Sequence, residues 1–593
     1  MKKRLIVLLI CVVGSFSFAK AQSNAIAKVF NRAEVLPQEN MFVHVNASLF
    51  LAGESLFYKA YCLTNETNKW SPYSTIAYVV LIGENQEVVF KHKVKLESGV
   101  GYGDFIIPVT ISSGNYKLIA YTQWMKNQGI SSFYKNDISI INPFQSNQEA
   151  ILVDKDINQT NKFDGLLSSK ADDENPQTIE SQFLDIETNK KTFKKRAKVS
   201  LTLKNKVKQN ISGNYSISVR KTDALDKLAN KATSSISYIS QKSNSDQSLK
   251  EVNFLPELRG ELISGKLLRV SDDSPVANEK VALSIQQHDF ILKISNTNQD
   301  GVFYFNIDEV YNKESAVLQV LGKDNKDFKI ILDDHVSMNY GNLDFGTFKI
   351  SSIYKNDLEQ RSIYNQIENG YFDLKLNTLK QIDTVLPFFG DYFATYYLDD
   401  YTRFNKIQET FVEVVKDAYI KKDNDQKSNF YVNSLDPYEQ LEKPAGVIVD
   451  GIFLQDVDDL LEYDARRVKR IGIARINTNF ILGSKTFGGL IVIETIDGNF
   501  SDELSKDKLT LVNLFRPQLK KMYYNKTYTN DNSFDRIPDY RNQLLWEPNV
   551  YFKSNEMVID FFTSDNTGRY EICIEGFTAE GYPVSIRDFI TVE

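Results

Sequence analysis

Catalysis needs side chains that carry protons, electrons or metals, and this sequence is sparing with them. Four histidines occur in 593 residues, His44, His92, His288 and His335, and they are scattered. Histidine is the usual proton carrier near neutral pH and the commonest metal ligand, so this scarcity leaves little room for either role. Neither H-E-x-x-H nor G-x-S-x-G occurs, nor the phosphate-cradling G-x-x-x-x-G-K-[ST]. Gly99, Gly101 and Gly103 cluster between predicted strands rather than at a helix start, which marks a turn. Asp423-Asn424-Asp425 and Asp458-Asp459 gather carboxylates but lack the glycine and distal glutamate of a calcium loop. The residues point to no catalytic centre, no metal and no cofactor, and no small-molecule substrate is evident.

The leader is more informative. Lys2-Lys3-Arg4 precedes an apolar run from Leu5 to Val13, and Ala19-Lys20-Ala21 offers a small-residue cleavage site. This is the layout of a secretory signal peptide over residues 1–21. The formal charge is −7, and removing four basic residues with the leader takes it to −11, which argues against nucleic acid as a partner. No later segment offers the ~18 apolar residues of a membrane helix, so any membrane contact is expected through a partner. Of three cysteines only Cys62 and Cys573 remain after cleavage. A disulfide between them and two buried thiols fit equally well.

The elements read as mainly β. Tyr and Phe are abundant, at 31 and 38, while Pro is only 14. Over 22–143, Ser55 to Leu63 alternates, with Leu56, Tyr58, Ala60 and Cys62 on one face and Ser55, Phe57, Lys59 and Tyr61 on the other. Residues 144–253 add a polar linker and strands Ala197–Leu203 and Asn214–Arg220. Lys190, Lys191, Lys194, Lys195, Arg196 and Lys198 form a basic cluster there, which reads as a lysine-protected edge strand in preference to a lipid contact. Residues 227–250 read as a flexible loop. Residues 254–345 carry strands Glu261–Val270 and Lys280–Gln286. In 346–430 the period changes to helical, with Ile363, Ile367 and Tyr371 on one helix and Ile407, Phe411, Val415 and Ala418 on a second. The aromatic stretch Phe388 to Tyr397 lies between them and reads as an inter-domain core in preference to an exposed aromatic docking surface.

Several segments resemble known families. Leu51-Ala52-Gly53-Glu54-Ser55-Leu56-Phe57-Tyr58, Ser113-Gly114-Asn115-Tyr116 to Thr122, and Ile141-Asn142-Pro143 resemble a macroglobulin-type (MG2-like) domain of exported Bacteroidota proteins. The thioester motif Cys-Gly-Glu-Gln of protease-trapping macroglobulins is absent, since Gly83-Glu84-Asn85-Gln86 has no preceding Cys. Residues 144–253 are similar to a second macroglobulin or immunoglobulin-like sandwich. Thr297-Asn298-Gln299-Asp300-Gly301-Val302-Phe303-Tyr304-Phe305 resembles the "T-x-x-D-G-x-F-x-F" hairpin of carboxypeptidase regulatory-like sandwiches, which are non-catalytic. The remaining match covers 444–500. Val447-Ile448-Val449-Asp450-Gly451, Val468 to Ile473, and Gly483 through Phe487-Gly488-Gly489 to Thr495 resemble the plug domain of TonB-dependent outer-membrane receptors. Arg470 and Gly472 stand where that family has acids. A receptor barrel does not fit behind it: 93 residues follow Phe500, while 22 spanning strands at ~9 residues each need about twice that number. Residues 501–593 resemble the final sandwich of the same Bacteroidota family, without a type 9 sorting domain.

The expected fold class is therefore mainly β: tandem immunoglobulin-like and macroglobulin-like sandwiches, a helical connector at 346–430, and a small α+β plug-like domain at 431–500. The plug resemblance implies a non-enzymatic periplasmic protein, associated with the outer membrane, that docks on and occludes an outer-membrane β-barrel channel such as the type 9 translocon. Arg470, Phe480 and Phe487 are its expected contacts. The alternative is an envelope scaffold or adhesion module that binds polypeptide or cell-envelope polymer at exposed strand edges.

Overall fold

Where apolar and polar residues alternate, the chain is extended, and the computed structural model is mainly β. It describes residues 37–593 apart from 150, 154–177, 208–211, 243–251, 324, 334–337, 342, 381–386, 434–442, 476–479, 483–484, 505–506 and 529–535. The leader and His335 therefore lie outside the described residues. The chain divides into two units: 1–258, 338–380 and 517–593 form the first, and 259–337 with 381–516 the second.

The first unit opens with a sandwich. Glu39–Val45, Ser55–Thr64 and Val100–Ile106 make one sheet. Leu49–Leu51, Tyr134–Ile141, Gly114–Tyr121, Ile76–Gly83 and Val88–Lys95, in that order, make the other. Leu56, Tyr58, Ala60 and Cys62 face its core, as the alternation predicts. The opposite face of the same strand differs from expectation, because Lys59 and Tyr61 are fully buried as well. A second sandwich covers them.

That second sandwich joins distant parts of the chain. One sheet runs Thr192–Phe193, Pro583–Val592, Gly568–Thr578, Gly213–Lys221, Gln543–Phe552. The other runs Glu556–Phe562, Lys198–Asn205, Leu184–Thr188. Leu201, Ile217, Phe561 and Ile574 share one core. The separate sandwiches expected at 144–253 and 501–593 are thus one. Neither segment supplies two complete sheets, and each completes the other's hydrogen bonding. The same topology divides the lysine cluster: Lys190, Lys191, Lys194 and Lys195 flank the edge strand Thr192–Phe193, as expected, whereas Lys198 opens the central strand Lys198–Asn205. Its lysines pair with carboxylates, Lys198 with Asp560 at 2.8 Å and Lys204 with Glu187. Residues 227–250 also differ in part, since Ser235–Gln241 is a helix whose Ser234 side chain accepts the Ser237 N–H. Cys62 and Cys573 are both buried and both free thiols.

The helix Lys355–Gly370 sits in the first unit with its polarity inverted. Ile363 is exposed and Tyr371 partly so, whereas Arg361 and Ser362 are buried. Arg361 donates from Nε and Nη2 to the two Glu54 oxygens at 2.8 Å, from Nη2 to the Leu49 carbonyl, and from Nη1 to Asp223 and Asp226. An ion cluster in place of an apolar stripe holds this helix down.

In the second unit, Val302–Ile307, Glu261–Arg269 and Phe328–Leu332 form one sheet of a sandwich. Ile291–Asn296, Lys280–Ile285, Ser315–Val320 and Thr510–Asn513 form the other. Gly301 turns with φ +72°, and Phe303 and Phe305 are buried. The expected hairpin is instead a crossing, because the strands before and after the turn belong to different sheets. The plug-like region is a five-stranded sheet in the order Ala394–Tyr397, Val468–Ala474, Leu490–Thr495, Gly446–Val449, Ile452–Phe453. The expected helix through Ile407, Phe411, Val415 and Ala418 ends at Glu413, and Ala418 begins the strand Ala418–Lys422. Val412, Val414 and Val415 are β-branched and lose rotamer freedom in a helix. Among the described residues no helix is long and apolar enough to cross a membrane.

Candidate docking site on the plug-like sheet

The sheet is organised by a two-residue turn. Asp450 and Gly451 have φ +48° and +82°, and Val449 pairs with Ile452 across them. Aspartate followed by glycine suits a hairpin turn that needs positive φ at both central positions. The turn also aims the Asp450 carboxylate inward. It accepts the Thr495 N–H at 2.8 Å, the Thr495 hydroxyl at 2.6 Å and the Phe500 N–H at 3.1 Å. The D-G at one end of the motif and the threonine at the other are thus one clamp. Asp450→Ala should cost the second unit about 2–4 kcal/mol, since it strands buried donors and places Cβ chemistry without a side-chain acceptor at positive φ. Asp450→Asn should cost clearly less, because asparagine tolerates that backbone. Urea unfolding of the two variants, followed by fluorescence, checks the order.

The expected contact residues are mostly engaged within the domain. Arg470 lies on Val468–Ala474 opposite Glu494 and pairs with it. Its guanidinium carbon also stands 5.3 Å over the Tyr392 ring. Phe487 is buried, with its ring 5.5 Å from that of Phe453, edge to face, in a core with Ile448, Leu482 and Leu490. Its apolar ring contributes more inside that core than at a wet surface. Phe480 begins the strand Phe480–Leu482, paired with Lys485–Phe487. Gly472 departs from the receptor pattern for a visible reason: a Cβ there would lie 2.4 Å from the Tyr392 ring. Arg470 and Phe487 are thus both engaged within the sheet.

Another surface faces outward. Ala394–Tyr397 is the first strand of the sheet and, among the described residues, pairs only with Val468–Ala474. Phe388, Phe393, Tyr397 and Tyr401, on and beside it, are each 44–51% exposed. Their placement is fixed from below. Tyr396, the inward neighbour of Tyr397, is buried and bonded to Asp417. Arg475 lies 3.5 Å from the Phe393 ring centre and is itself held by Asp417 at 2.8 Å. Phe389 packs inward on Phe290 and Tyr392. The result is a short open strand edge flanked by half-exposed aromatic rings. The run favoured in the sequence as an inter-domain core is thus divided, with Phe388, Phe393 and Tyr397 half-exposed and Tyr396 buried, because alternation along a strand sends neighbouring rings to opposite faces.

Of the described histidines, two are buried and hydrogen-bonded. His44 bonds Ser216 at 2.7 Å inside the first unit, and burial, helped by Arg587 and Lys59, lowers it to about 3. His92 bonds the Tyr58 hydroxyl at 2.9 Å and is lowered to about 4 by burial and then Lys521. His288 is exposed beside Asp289. Among the described residues no three of His, Cys, Asp or Glu converge as metal ligands.

No family model matches the chain, and no curated protein matches it significantly. Solved structures do. The α2-macroglobulin of Salmonella reacted with methylamine aligns over 93% of this chain and 39% of its own, at 9% identity and TM-score 0.22. The Escherichia coli α2-macroglobulin activated by porcine elastase aligns over 94% of this chain and 44% of its own, at 8% identity and TM-score 0.22. A tetra-tandem repeat from the extending region of a large adhesion protein aligns over 94% of this chain and 100% of its own, at 7% identity and TM-score 0.12. The chain spans about two-fifths of the length of those two α2-macroglobulins.

Proposed function

We propose that the chain is a non-enzymatic scaffold of the cell envelope that takes up an extended polypeptide at the open edge of its plug-like sheet. The observation that supports this is the strand Ala394–Tyr397, paired on one side and flanked by Phe388, Phe393, Tyr397 and Tyr401. An extended segment laid against it gains main-chain hydrogen bonds, and the rings supply apolar contact. Half-exposed aromatic residues held rigidly from beneath are the type that dominates binding energy in protein interfaces. The signal-peptide layout of residues 1–21 supports an envelope location.

A second reading has the same aromatic rim meeting the periplasmic mouth of an outer-membrane β-barrel such as the type 9 translocon. It is favoured by the receptor-plug pattern of 444–500. In that case the contacts are the rim residues rather than Arg470 and Phe487. One experiment separates the readings. Tagged full-length protein and a Phe393→Ser/Tyr397→Ser variant are recovered from their own envelope in mild detergent. The scaffold reading expects polypeptide captured by the wild type and at least tenfold less by the variant. A large barrel at near-stoichiometric yield favours docking, and equal capture by both proteins contradicts both uses of the rim.

A further inference from the structure

The seam between the two sandwiches of the first unit buries a lysine. Lys59 projects from Ser55–Thr64, is fully buried, and makes no ion pair among the described residues. Its Nζ donates to the Asn214 side-chain oxygen and, at 3.1 Å, to the Tyr215 carbonyl, and it stands 4.7 Å over the Tyr61 ring. A lone ammonium is costly in such a place. Burial pushes Lys59 well below its ordinary range, against the opposing pull of Glu547, which favours the neutral, nucleophilic amine.

Asn214 is held from both ends. It lies in the central strand Gly213–Lys221 of the second sandwich and is itself buried. Lys59 holds its carboxamide oxygen, while its Nδ2 donates to Asn549 Oδ1 at 3.1 Å. The Asn549 N–H in turn donates to Glu547 Oε1 at 3.2 Å. An amine and a fixed carboxamide thus meet in the buried seam, and the partly exposed Glu547 carboxylate is linked to them through the exposed Asn549 at its rim. Holding reactants in one geometry replaces an improbable encounter with a local step.

We propose that Lys59 and Asn214 become joined by an amide cross-link formed within the folded chain, tying the first sandwich covalently to the second. The Nζ lone pair attacks Asn214 Cγ, and the Cγ–Nδ2 bond breaks. One Nζ proton passes by way of the Glu547 carboxylate to Nδ2, which leaves as ammonia. Nothing is oxidised or reduced, and no co-reactant is needed. The amide-bonded product also removes a buried amine that the folded chain would otherwise have to keep uncharged.

The intact mass of the full chain, purified after leader removal, decides the matter. The expected mass is one ammonia below that of the linear chain, and a tryptic digest should hold a branched peptide joining the Lys59 and Asn214 segments. A linear mass, with Lys59 in an ordinary peptide, overturns the proposal. Lys59→Met and Asn214→Ala should each restore the linear mass. In case those variants fold poorly, Glu547→Gln provides a second test, because Glu547 is partly exposed and its amide keeps nearly the same shape. It should fold yet leave most molecules at the linear mass, and full cross-linking in that variant overturns the role given to Glu547.

Discussion

Replacing Arg361 by alanine should lower the stability of the first unit by about 3–5 kcal/mol. The guanidinium is the hub of a buried cluster that brings the helix Lys355–Gly370 onto both sandwiches of that unit. Glu54 receives its Nε and Nη2, and Arg220 adds a third contact at 3.2 Å. Burial alone would raise the Glu54 carboxyl, but the Arg361 and Arg220 charges outweigh it and hold the group at about 2. Asp223 and Asp226 lie 3.1 and 3.2 Å from Arg361 Nη1. Without Arg361, buried Glu54 keeps only Arg220, and the half-buried Asp223 and Asp226 lose their cation. Removing one member of a buried pair is costly because its partner stays behind charged, whereas removing both is far milder. Arg361→Met combined with Glu54→Gln should therefore recover a large part of the loss. Calorimetric unfolding of the full chain tests this, through the transition of the first unit. A loss below about 1 kcal/mol for Arg361→Ala would show that the cluster does not hold the helix.

The second large effect is acid destabilisation through His44 and His92. Each is buried neutral, at about 3 and about 4 against an ordinary 6.5. The unfolded chain takes up protons as pH falls through 6.5, while the folded chain refuses them until pH 4 to 3. Stability from these groups is thus complete above pH 6.5 and declines as pH falls. Each contributes about 3 kcal/mol of loss by pH 4. Glu54 adds its own decline only lower, as pH falls from 4.5 toward 2. Urea midpoints for wild type and a His44→Gln/His92→Gln variant, taken from pH 7 to pH 4, check the assignment. The variant should lose much of the pH dependence, and parallel curves would contradict it.

Local features were legible in the sequence; distant pairings were not. Asp450-Gly451 marks its turn because two successive positive φ values suit few other residue pairs. The alternation of Leu56, Tyr58, Ala60 and Cys62 marks a core face because strands repeat every two residues. The same logic fails on the reverse of that strand, where a second sandwich buries Lys59 and Tyr61. Nothing local says that Gly213–Lys221 pairs with Gly568–Thr578, some 350 residues away. Two expected sandwiches were for that reason one. The helix Lys355–Gly370 misleads in a different way. Its apolar repeat faces outward, and its buried face is chosen by an arginine whose carboxylates come from two other segments. At the candidate site, the plug-like pattern led to Arg470 and Phe487, residues that hold the sheet together. The exposed members of the aromatic run lie one strand away, where alternation between Tyr396 and Tyr397 decides which ring is free.

The claim that an extended polypeptide adds to the Ala394–Tyr397 edge is tested most directly by amide hydrogen exchange. The full chain is compared alone and with a permanently unfolded, reduced and alkylated polypeptide as probe. The account predicts slower exchange concentrated in residues 394–397, and no such change in the Phe393→Ser/Tyr397→Ser variant. Binding that leaves those amides unchanged, or protection that appears only in the sandwiches, would contradict it.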